Sequence, residues 1–190
     1  MTREFDQARS ATLSPQPHAT DSVNNICVYC GSANGADPIF VKAATELGRS
    51  IAAHGLGLVY GGGHVGLMGI IADAVLDGGG TVTGVIPEAL ANKEISHHRV
   101  TELHVVADMH ERKAMMAERS DGFLAMPGGI GTLEELFEVM TWLQLGYHAK
   151  PVGLLNVNGF YDGLLAFLDT QRDQGFLRPE HRALLLDNSD

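Results

Sequence analysis

The sequence is short of cysteine, of positive charge and of long apolar runs, and each shortage narrows what the chain can do. Two cysteines, Cys27 and Cys30, occur in 190 residues, too few for a disulfide framework. Their C-x-x-C spacing, in ICVYCG, invites a redox or metal reading, but Ile26 to Cys30 is a strand candidate. Side chains three apart on a strand leave opposite faces, so we expect two reduced thiols in a core strand and a cytoplasmic protein. Lysine and arginine number 13 against 23 acidic residues, a formal net charge of −10. That balance repels a polyphosphate backbone and argues against nucleic acid as a partner. No apolar run approaches the roughly 18 residues of a membrane span, so no membrane partner is expected either. None of the nine histidines sits in H-E-x-x-H or another recognised ligand spacing, and no lysine lies in a pyridoxal-binding context. Neither a metal nor another cofactor is expected.

What is present is alternation. Short apolar runs ending in glycine or proline recur as NNICVYCGS, LGLVYGGG, TVTGVIPE, DGFLAMPGG and KPVGLLNV. Between them lie stretches of helical spacing at 40–54, 66–76, 108–120, 132–145 and 161–174. Strand–helix alternation predicts a doubly wound, Rossmann-like α/β domain, a parallel sheet with helices on both faces. It spans residues 23–190 as one domain; residues 1–22 are polar, lack the apolar centre of a secretory signal, and read as a disordered extension. In such sheets ligands bind beyond the carboxyl ends of the strands. Three of those ends are glycine-rich, CGSANG, YGGGHVGLMG and PGGIGT, so Gly31, Ser32, Gly61, Gly62 and Gly63 are candidate nucleotide-loop residues.

Gly61 to Gly66 satisfies G-x-G-x-x-G between a strand and a helix. The next strand runs into Pro87 before Glu88, however, where a dinucleotide site wants an acidic residue at the strand end, which favours a tight turn approached by a smaller nucleotide. PGGIGTLEE, from Pro127 to Glu135, is neither that fingerprint nor a Walker A loop. Its glycines can aim successive amides into one concavity, and the helix that follows adds its positive end, which suits a phosphate. Two roles stand open for Glu135: Thr132 and Glu135 form T-x-x-E, a capping box, or the carboxylate faces the cleft. Leu133, Leu136, Phe137 and Met140 fall on one helical stripe. Val139, Trp142 and Leu143 lie beyond it as apolar surface for self-association. In ADMHERKAMM, Asp108 and Glu111 form a second capping pair that places Arg112 and Lys113 in the second turn, either as an anion-binding pair or as a solvated basic face.

In combination, YGGGHVGLMG, ADMHERKAMM and PGGIGTLEELFEVMTWLQLG resemble the LONELY GUY (LOG) family, cytokinin riboside 5'-monophosphate phosphoribohydrolases. The resemblance runs from about Asn25 to Pro179. It implies hydrolysis of the N-glycosidic bond of an adenosine 5'-monophosphate, plain or N6-modified, releasing the free base, adenine or a cytokinin, and ribose 5-phosphate, by a homodimer without a cofactor. It makes Arg112 and Glu135 the catalytic pair. It also places Lys113, Gly129, Ile130, Gly131, Thr132, Leu133, Glu134, Glu94 and Thr141 against the substrate. A non-catalytic nucleotide-binding or cofactor-carrier protein of the same fold is the alternative.

Overall fold

The computed structural model describes residues 23–91 and 96–189. Residues 1–22, expected as an extension, and Glu94 lie outside the described residues. Seven strands form one sheet in the order β4-β3-β2-β1-β5-β6-β7. They are β1 (Asn25–Tyr29), β2 (Gly57–Tyr60), β3 (Val82–Pro87), β4 (Glu102–Val106), β5 (Gly122–Ala125), β6 (Val152–Leu155) and β7 (Leu185–Asn188), and every pairing is parallel. The helices are α1 (Pro38–Ala53), α2 (Gly66–Asp77), α3 (Glu88–Leu90), α4 (Met109–Glu118), α5 (Ile130–Gln144), α6 (Asp162–Asp173) and α7 (Pro179–Arg182).

Two apolar cores explain the layering. On one face Cys27 and Tyr29 pack with Met116 of α4, Leu136 and Val139 of α5, and Leu168 of α6. On the other, Val28 and Cys30 pack with Ala44 and Ile51 of α1 and Leu67, Ile71 and Val75 of α2. The alternation along β1 sends the two cysteines to different cores, as strand geometry requires. Both are free and buried, and burial pushes the Cys27 thiol up to about 12. Val139, expected on an associating surface, belongs to the first core at 2% exposure. Trp142 and Leu143, expected on the same surface, are partly buried and pack against this core as well, so the buried side of α5 is wider than its i, i+3, i+4 stripe.

Chain order places the cleft. The chain steps outward from β1 through β2 and β3 to β4, then crosses back to β5 beside β1. The strands flanking that reversal diverge into loops on opposite sides, which opens a crevice at their carboxyl ends. Gly31 after β1 and Pro127 after β5 meet there, the Gly31 amide donating to the Pro127 carbonyl at 3.1 Å.

Candidate active site

Helix α4 carries the first charged group because its start is fixed. The Asp108 carboxylate accepts the amides of His110 and Glu111 at 2.8 and 2.9 Å, and Glu111 reaches back to the Ala107 amide at 2.9 Å. Two orphan donors are thereby satisfied, and the helix presents Arg112 one turn in. The guanidinium runs under the carboxyl ends of β2 and β3. Its Nε donates to the Val85 carbonyl at 3.2 Å and one terminal nitrogen to Glu135 Oε1 at 2.6 Å. A methyl group on Gly61 would collide with the other terminal nitrogen. The glycine after β2 is therefore the space in which Arg112 lies.

Helix α5 supplies the partner. Both side chains of the Arg112–Glu135 pair are about nine-tenths buried, each 10% exposed. Burial pushes the Glu135 carboxyl above its ordinary value, and the Arg112 charge opposes but does not cancel that shift. Beside it Lys113 donates to Glu134 and to Glu138, the latter at 3.0 Å. Burial works against this ammonium, but the two carboxylates outweigh it and hold the pKa above the usual lysine value. Two parallel ion clusters thus join α4 to α5. The start of α5 is uncapped by any side chain, its N-cap being Gly129. Its first amides are left to water or to an anion, and a methyl group on Gly129 or Gly131 would meet nothing within 4 Å. A buried arginine–glutamate pair beside open helix-terminal amides can hold a phosphate at one end and present a carboxylate to a cation-like centre at the other.

A family described as "Possible lysine decarboxylase" matches residues 68–190. A probable cytokinin riboside 5'-monophosphate phosphoribohydrolase of Oryza sativa subsp. japonica is 55% identical, over 87% of this chain and 73% of its own. A cytokinin riboside 5'-monophosphate phosphoribohydrolase of Arabidopsis thaliana is 53% identical, over 85% and 74%. The chain belongs to the LOG family.

Among solved structures, the molybdenum cofactor carrier protein of Chlamydomonas reinhardtii aligns with this LOG chain at a TM-score of 0.64 and 29% identity, over 89% of this chain and 91% of its own. One fold thus carries proteins named for hydrolysis and for carrying a cofactor, and the site has to decide between them. Among the described residues the decarboxylase description finds little support in the lysines: Lys113 is clamped by two carboxylates, Lys150 donates to the Ala117 carbonyl at 2.8 Å, and Lys42 pairs with Glu46 on the surface.

The predicted site residues of the LOG chain divide. Arg112 and Glu135 meet, Gly61 lies against Arg112, and Gly31 meets Pro127 and Gly128 at the loop that leads into α5. The capping box of Thr132 and Glu135 does not form. The helix begins three residues before Thr132 is reached, at an N-cap of Gly129, so Thr132 is interior and Glu135 is free to take Arg112. Ile130 is 82% exposed at the helix start, whereas Leu133 packs into the core. Glu134 is engaged by Lys113. Thr141 is exposed and bonds back to the Phe137 carbonyl at 2.6 Å; six residues beyond Glu135, it stands about 9 Å along the helix axis and on another side. The dinucleotide fingerprint is spent on packing: Gly61 makes room for Arg112, and Gly66, at φ 62°, lies against the Ser32 backbone. Sequence reasoning missed the Val85 carbonyl and Glu138. A backbone acceptor leaves no mark in a sequence, whereas Glu138 stands one turn from Glu134, an i, i+4 spacing that signals a shared partner.

Proposed function

We propose that this LOG chain hydrolyses the N-glycosidic bond of adenosine 5'-monophosphates, plain or N6-modified, to free base and ribose 5-phosphate. The observation that carries the proposal is the buried Arg112–Glu135 pair at the carboxyl ends of the strands. Breaking the bond between the anomeric carbon and the base nitrogen builds positive charge on the ribose ring. A desolvated carboxylate beside it stabilises the transition state more than the ground state. Glu135 supplies that charge, water adds its oxygen to the anomeric carbon, and the base leaves with a proton. Arg112 keeps Glu135 oriented and helps neutralise the phosphate, which the amides from Gly129 to Thr132 bind. The enzyme acts as a homodimer, for which the exposed Leu145 and Tyr147 just past α5 supply apolar surface. Its two reduced thiols fit the cytoplasm.

The test is incubation with AMP, N6-prenyl-AMP, adenosine and lysine, followed by product identification. Free base and ribose 5-phosphate should appear from the monophosphates. Their kcat/KM should exceed that of adenosine at least about 100-fold, because phosphate binding positions the sugar for attack. Comparable values for AMP and adenosine would sink the phosphate assignment. Binding of AMP without release of base would favour a carrier.

A further inference from the structure

Away from the reacting pair, one buried histidine ties three parts of the fold together. His97 is 4% exposed. Its Nδ1 accepts the Arg99 amide at 3.3 Å, so the ring proton sits on Nε2, which faces Asp73 Oδ1 of α2 at 3.4 Å. The same aspartate and Asp77 bind the Arg99 guanidinium at 2.6 and 3.0 Å. Through its backbone His97 also holds the glycine turn after β2: its amide donates to the Gly62 carbonyl at 2.9 Å, and Ser96 bridges Gly63. That turn is seated tightly, Gly62 standing at φ 73° with its missing side chain against Val85 and Ile86. Val85 gives its carbonyl to Arg112 Nε, and Gly61 gives Arg112 its space.

We infer that His97 is a positioning residue for Arg112, anchoring segment 96–99 to α2 so that the Gly61–Gly63 turn keeps the guanidinium aligned on Glu135. The inference rests on the proposed hydrolysis for its kinetic consequence, but its structural consequence stands apart from it. A buried imidazole that accepts a backbone amide two residues on and faces a carboxylate on a neighbouring helix fixes both the turn and its docking. A smaller apolar side chain fixes neither. The cost falls on alignment, and a small misplacement of a catalytic group lowers turnover more than affinity.

In His97→Ala, kcat should fall at least about tenfold while KM stays within about threefold. His97→Asn, whose side-chain oxygen can again accept the Arg99 amide, should recover most of the loss. In an Arg112→Ala background the His97→Ala change should cost nothing further, since both act through one group. Independently of activity, the Arg112 Nε–H resonance, protected by the Val85 carbonyl, should exchange faster with solvent in His97→Ala. A kcat within twofold of wild type, losses that add in full with Arg112→Ala, or unchanged Nε–H exchange would overturn the inference. Should His97→Ala fail to fold, Asp73→Ala, at a half-exposed position, takes its place with the same readouts. If the wild-type protein releases no base from any nucleotide, the functional proposal fails, and the exchange measurement still decides the role of His97.

Discussion

At the residue scale the decisive group is Glu135, a carboxylate buried to 8% exposure with Arg112 at 2.6 Å. Glu135→Gln keeps the shape and removes the charge, so kcat should fall at least about 100-fold while nucleotide affinity changes less, because the ribosyl cation exists mainly in the transition state. A folded Glu135→Gln protein with near wild-type turnover would defeat the assignment. The same burial sets a pH dependence. In the proposed mechanism the ionised form is the active one, and burial raises the pKa above the ordinary glutamate value despite Arg112. Activity should therefore be complete at alkaline pH and decline as pH falls through a value above the ordinary glutamate range; a kcat/KM profile that declines only below pH 4.5 would contradict this. Gly61 offers a test from the other side of the pair. In Gly61→Ala the new methyl group collides with Arg112, and kcat should drop about tenfold or more with the fold retained, as read by kinetics beside circular dichroism.

At the element scale, the site depends on how β5 hands the chain to α5. Tyr161, at the start of α6 and 2% exposed, donates its hydroxyl to the Met126 carbonyl at 2.7 Å, immediately before the Pro127 loop. Tyr161→Phe leaves that carbonyl buried without its donor and should cost about 1–2 kcal/mol in urea denaturation, against no change if the bond is incidental. The five long helices and five central strands were legible in the sequence, since each long helix shows 3.6-residue periodicity and each central strand is apolar on both faces. Edge strands β4 and β7 were not. They pair on one side only, and Glu102, His104 and Asp187 interrupt any apolar run.

At the scale of the whole molecule, the homodimer is the assembly to test: light scattering at micromolar concentration should give twice the chain mass, and a monomer would remove the proposal. Its apolar surface is Leu145 and Tyr147, since Val139 is core and Trp142 and Leu143 pack against that core. By itself the sequence determined the layering, because apolar periods of 2 and 3.6 leave one economical way to bury both kinds of face. It determined the family through three ordered motifs, and it nominated Arg112 and Glu135, although the Glu135 role stood open between cap and cleft. Tertiary structure alone removed the cap. Helix α5 starts at Gly129's cap rather than Thr132's, and Arg112, 23 residues away in sequence, is close enough to claim the carboxylate. It also decided why Gly61 is glycine, and it brought His97 under the same turn. Such facts depend on contacts between distant segments and on backbone carbonyls, and neither is encoded in the identity or spacing of neighbouring residues.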